Sequence, residues 1–140
     1  MNLRVPELTA ALALRNLESY ERHLARREAI HRRYADAWAS LPLRLSGPRP
    51  GERSSHKDQL VWLDAPERRG ALCDFLATRG IETRRYYEIA IPDLHAFEGI
   101  VASAEQSRRI AARSLAVHIH GRLTDEEVDG VAAAVIDFFG

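Results

Sequence analysis

Lysine and cysteine are nearly missing from this chain of 140 residues: Lys57 and Cys73 are the only ones. A lone cysteine rules out an intramolecular disulfide, and its apolar helical setting, ALCDFLA, suits a small buried hydrophobe. The scarcity of lysine has a chemical consequence. Arginine supplies 19 of the 20 basic residues. Its guanidinium forks onto carboxylate or phosphate but cannot serve as the amine of a Schiff base. Excess charge of one sign is lacking as well. Twenty acidic residues balance the 20 basic ones, so nothing draws the chain as a whole toward nucleic acid or an anionic membrane. No apolar run is long enough to span a bilayer and no secretory leader is seen, so a cytoplasmic protein is expected. The G-x-S-x-G elbow, the Gly-rich phosphate loop and the H-E-x-x-H pair are all absent, which leaves nucleophile and zinc-protease chemistry without a home.

What is present is a globular composition, 46% hydrophobic, over a length that suits one domain. Residues 6–41 read as a long helix. Pro6 fits its first position, where the missing N–H costs nothing, and Leu8, Leu12, Tyr20, Leu24, Ile30, Tyr34 and Trp38 recur at loose helical spacing. Such length favours a bend between Leu17 and Glu21. LPLRLS and QLVWLDA read as strands on either side of a Gly/Pro/Ser loop. PERRGALCDFLATRG reads as a helix entered at Pro66 and stopped at Gly80. IETRRYY alternates like a strand, and EIAIPDLHAFEG is irregular. SAEQSRRIAARS is a helix with Ser103 as its expected cap, followed by a strand, SLAVHIHG. In the last helix Thr124 and Glu127 form a capping box. The order is a long helix followed by β–β–α–β–α–β–α. It predicts an α+β fold: a long N-terminal helix, then a two-layer sandwich of a three- or four-stranded sheet with helices on one face.

Three groups of residues could carry chemistry. His118 and His120, two apart on a strand, face one way and could share a metal if His56, His95 or a carboxylate joined them; two partly exposed imidazoles at a strand end are the plainer reading. RRYY, residues 84–87, ends a strand with two guanidiniums and two phenols, a pairing able to hold a phosphate and stack a ring. Its plainer reading is a solvated edge. Arg22, Arg26, Arg27, Arg32 and Arg33, interleaved with Glu21 and Glu28, read as a solvated helix face laced by i,i+4 pairs.

In order along the chain these residues resemble the C-terminal part of the DegT/DnrJ/StrS-type sugar aminotransferases, enzymes of fold type I that use pyridoxal phosphate (PLP). Asn2, Arg4, Glu7, Leu8, Ala10 and Ala11 match the family's N-x-R-[ML]-S-E-[LI]-Q-A-A opening. REAIHRRYADAWASLP is similar to its R-R-x-x-A-x-x-Y helix end, SSHKDQLVWL to its polar turn and strand, and Gly80–Tyr87 to its G-I-E-T-R-x-x-Y. Pro92, Leu94 and His95 approximate a Pro-Leu-His element that Asp93 interrupts. Ser114, Leu115, His118 and LTDEEV echo the end. Pro6 stands where the family has Ser, and Ala116 where it has Pro.

The resemblance implies a fold like the small domain of those enzymes, residues 1–41 as an interface helix and 42–140 as the α+β body. It implies that the large domain, with the PLP lysine, is missing. It also implies a nucleotide-sugar substrate, aminated from Glu or Gln in polysaccharide or antibiotic sugar biosynthesis. By the same resemblance Asn2 would reach the cofactor phosphate of a partner subunit, with Arg4 supporting it. Arg84, Tyr86, Tyr87 and His95 would face the substrate. No catalytic residue is expected in this chain, Lys57 lying far from the family's lysine in order. No metal is expected, no PLP bound by this chain alone, and no nucleic-acid or membrane partner. The expected partner is a second copy or a lysine-bearing aminotransferase domain. The alternative is a stand-alone non-catalytic partner or a nucleotide-sugar binding module.

Overall fold

Thirty-one residues, Glu7–Ala37, wind into one unbroken helix, α1, in the computed structural model, which describes residues 5–99 and 103–140. At 1.5 Å per residue α1 is about 46 Å long. It ends four residues earlier than residue 41, and Pro6 sits just outside as its N-cap. No break falls between Leu17 and Glu21. From Leu24 onward the helix joins the protein body. Leu24, Ile30, Tyr34 and Trp38 are buried, the Tyr34 and Trp38 rings stack at 4.6 Å, and the Trp38 indole donates to the Ala132 carbonyl at 3.1 Å.

The sheet has three antiparallel strands in the order β1 (Leu43–Leu45), β2 (Gln59–Leu63), β3 (Ser114–Val117). Val61 pairs with Leu115 and Leu45, and Gln59 with Val117. Alternation along β2 turns Gln59, Val61 and Leu63 inward and leaves Leu60 and Trp62 on the other face. Against the inner face pack the second half of α1, α2 (Arg68–Thr78) and α4 (Asp125–Phe139), with Leu72, Leu76, Val128, Val131 and Val135 among the core residues. Cys73 is buried in this core, as expected of it.

Several elements differ from the sequence expectation. The strand at IETRRYY shrinks to a single bridge, Arg84 to Ala116, on the free edge of β3. The chain there leaves the sheet because Tyr86 and its neighbours cover the end of β3, where the Ser114 hydroxyl donates to the Tyr86 carbonyl at 2.5 Å. SLAVHIHG is strand only to Val117. Helix α2 begins two residues after Pro66, which sits in the preceding turn. Its stop is as expected: Gly80 takes φ +73°, and the amides of Gly80 and Ile81 reach back to the carbonyls of Ala77 and Leu76. Ser103 does not cap α3 (Glu105–Arg113); Ala104 holds that position without a side-chain bond. Two short 3-10 turns, Ile91–Asp93 and His95–Phe97, occupy the irregular segment.

The capping box of α4 is complete. The Thr124 hydroxyl accepts from the Glu127 amide at 3.2 Å, and the Glu127 carboxylate accepts from the Thr124 amide at 2.8 Å. The arginine run of α1 is more than a solvated face. Arg32 makes the i,i+4 pair with Glu28. Arg26 instead reaches Asp125 at 2.7 Å and Arg33 reaches Asp129 at 2.5 Å, tying α1 to the first turns of α4.

Candidate functional site

A cleft of about 220 Å3 opens where the end of β3, the Arg84 bridge and the loop entering β2 meet. Arg84, Glu82, Lys57, Asp58, His118 and His120 line it. Pairing with Ala116 fixes the Arg84 backbone, through hydrogen bonds in both directions, at the edge of the sheet. The pKa of its exposed guanidinium is raised, first by the side-chain hydrogen bond with Tyr86 and further by the Glu82 carboxylate. Tyr86 in turn donates to Asp58 at 3.4 Å. Among the described residues Arg84 makes no ion pair, so its fork is available to an incoming anion.

The two imidazoles of His118 and His120 border the same cleft, their ring centres 6.3 Å apart and their planes at 77°. Among the described residues no three His, Cys, Asp or Glu side chains are grouped to hold a metal ion. His56 is occupied elsewhere. It stacks on His31 at 4.6 Å, and His31 Nδ1 lies 2.7 Å from the Oε1 of buried Gln59. Burial first, and then the nearby His31, lowers the His56 pKa below 6.5.

The other expected substrate residues spread along the segment after Arg84. Tyr87 is 64% exposed, and with Tyr86 it heads a mostly apolar groove of about 230 Å3 that runs past Ile89, Ile91 and Ile110. His95 lines neither cavity. It stands in solvent on the second 3-10 turn, 2.8 Å from Glu98. Arg84, Tyr86 and Tyr87 thus adjoin, and His95 does not join them. Asn2 and Arg4 lie outside the described residues. Spacing alone would not bring Lys57, His118 and His120 to Arg84; the β2–β3 register does that, by setting Gln59 opposite Val117.

Residues 1–136 match the model of the DegT/DnrJ/EryC1/StrS aminotransferase family. The chain belongs to this family. It is 24% identical over 139 residues to the dTDP-4-amino-4,6-dideoxy-D-glucose transaminase of Shigella dysenteriae, covering 96% of this chain and 38% of that one. The solved structure of S. venezuelae DesV in complex with a ketimine intermediate superposes with a TM-score of 0.88 at 25% identity, over 96% of this chain and 37% of DesV. The aminotransferase TlmJ of Streptoalloteichus hindustanus gives 0.84 at 25%, over 94% and 35%. A sugar aminotransferase of Streptococcus pneumoniae, Spr1654, described as putative and solved in its PLP form, shares the fold, with a TM-score of 0.82 at 23% identity over 97% and 35%. The fold is therefore that of the corresponding part of these aminotransferases, and the chain spans a little over a third of their length.

Proposed function

We propose that residues 1–140 act as the small domain of a sugar aminotransferase, residues 1–41 as its interface arm and 42–140 as its α+β body. The domain contributes to amination of a keto-sugar nucleotide only when a lysine-bearing domain completes it. The observation that carries this reading is the state of the one amine side chain. Lys57 is 83% exposed, on the loop entering β2, with Asp58 at 3.7 Å as its ionic neighbour. PLP chemistry needs a lysine that holds the coenzyme and a group that tunes its ring nitrogen. A solvated lysine at the rim of a neutral cleft does not fit that role.

The chain's own residues have binding work to do. Arg84 pairs with the diphosphate of the sugar nucleotide, Tyr86 orients the guanidinium, and the open ring of Tyr87 lies against the sugar or base. His95 faces the sugar from the 3-10 turn, and Asn2 and Arg4 reach toward the coenzyme phosphate of a partner subunit. The first half of α1 supports a docked state: Leu8, Leu12, Leu14 and Leu17 are all more than 60% exposed. The deciding experiment adds PLP to the purified chain and records absorbance in the aldimine band, alone and with a lysine-bearing family member. No band from the chain alone is expected. A chain that turns yellow and aminates a keto-sugar unaided ends this proposal. The second reading, a free-standing nucleotide-sugar binding module, is favoured by the Arg84 cleft; it predicts that calorimetry detects UDP binding to the isolated chain.

A further inference from the structure

The face of the sheet turned away from α1, α2 and α4 carries a second set of cations. Arg44 on β1 sits directly across from Trp62 on β2, so both side chains leave the sheet on the same side. Arg109 and Arg113, one turn apart on α3, come in beside them. With Ile110 and Asp64 these residues line a groove of about 290 Å3. It shares no residue with the Arg84 cleft.

Two features of the groove are unusual for this chain. The first is charge. Three guanidiniums face one carboxylate, a balance of +2 in a chain whose total is zero. Among the described residues none of the three makes an ion pair, and Arg109 reaches only Gln106 on its own helix. Arg26, Arg33, Arg53 and Arg108, by contrast, hold carboxylates. Like charges brought together without partners repel, and an anion between them removes that cost. The second feature is the Trp62 indole N–H. It is buried and meets no acceptor among the described residues, whereas the Trp38 indole reaches Ala132. Buried donors ordinarily find partners.

We infer that this groove binds a phosphate-bearing small molecule, with the phosphate oxygens on the forks of Arg44, Arg109 and Arg113 and the indole of Trp62 as the floor. A multiply charged phosphate matches three forks better than a single carboxylate does. Asp64 lines the groove beside the three arginines, so it lacks the continuous basic track that a nucleic acid requires. The inference does not depend on the aminotransferase reading.

The test follows the indole N–H signals of the full chain by NMR during titration with inorganic pyrophosphate. The two tryptophans give two signals, and Trp62→Phe assigns them. The Trp62 signal moves and saturates while that of Trp38 stays. Arg44→Ala and Arg109→Ala each weaken binding by about tenfold, the value of one charge-assisted hydrogen bond, and added salt weakens it further. Arg84→Ala leaves this site unchanged, which separates it from the cleft of the proposed function. Should an alanine variant lose its dispersed spectrum, Arg44→Lys and Arg109→Lys replace it, keeping the charge but losing the fork, and binding again weakens. A Trp62 signal that ignores millimolar pyrophosphate overturns the inference. So does an unchanged affinity in the arginine variants, or a response to a hexaglutamate peptide alone, which marks a docking face for an acidic protein.

Discussion

At the scale of single residues, charge and burial decide which side chains are structural and which are available. Arg84 is exposed and makes no ion pair among the described residues; on the nucleotide-sugar binding reading, Arg84→Ala should weaken UDP binding by about tenfold while leaving the unfolding midpoint within about 1 °C, the behaviour of a surface cation that meets an anion. Gln59 is the opposite case. It is fully buried, and its amide donates to the carbonyls of Ser46 and Leu60 while its oxygen meets His31. Gln59→Leu strips partners from groups that stay buried and should cost about 1–3 kcal/mol in urea denaturation. His56 makes a pH prediction. Its folded pKa lies below 6.5, so the unfolded chain takes up the proton first. Its contribution is complete above pH 6.5 and is lost as pH falls from there through the depressed folded value. Asp93 and Asp125, held below their ordinary 3.8 by Arg108 and Arg26, and Glu127, held below 4.5 by Thr124, act only further down. Melting temperature should therefore begin to fall as pH drops below 6.5 and fall further once the carboxylates protonate. His56→Asn, which tolerates the positive φ of that position, should flatten the first part of that fall only.

At the scale of elements, the helix ends show how local chemistry and packing divide the work. Helix α4 begins on a complete capping box, and Arg26 and Arg33 of α1 reach across to the carboxylates of its first turns. Thr124→Ala removes the N-cap acceptor and should destabilise the chain by about 1 kcal/mol, read from the shift of the urea midpoint. Helix α3 has no such cap, yet Arg108 forks onto Asp93 at 2.7–2.9 Å and so fastens the helix to the first 3-10 turn. That contact fixes the segment carrying Tyr87 and His95 at its far end. Pairing across 15 residues tethers the helix that Ser103 does not cap.

For the molecule as a whole, the dominant feature is the first half of α1. Leucines 8 and 12 share one face, while Leu14 and Leu17 point to nearly the opposite side at about 100° per residue. Leucines on both sides of a helix are ordinarily buried on both sides, yet Leu8, Leu12, Leu14 and Leu17 of α1, and Val5 just before it, each remain more than 60% exposed. A single flat partner covers one side only, so the docked arm of the proposed function calls for cover from two sides. The isolated chain should self-associate in sedimentation runs, and Leu8→Glu with Leu14→Glu should release monomers, whereas Leu8→Glu alone should leave part of the association intact. A monodisperse monomer at high concentration before any substitution removes the argument for a docked arm.

The helix periodicities, the capping box, the Gly80 stop and the arrangement of a long helix ahead of an α+β body were readable in the chain, because each follows from local backbone preference and apolar spacing. The order of family-like motifs was readable for the same reason. The fourth strand at IETRRYY was not. Alternation permits a strand, but whether the chain stays in the sheet depends on what covers its neighbour, and Tyr86 does so by bending away over Ser114. Nor could spacing bring Lys57, His118 and His120 to Arg84, or Arg44, Arg109 and Arg113 around Trp62. Those groupings join residues tens of positions apart, through strand register and helix docking. Local energetics chose the elements, and the burial of their apolar faces against one another determined which charges came together and which leucines were left in water.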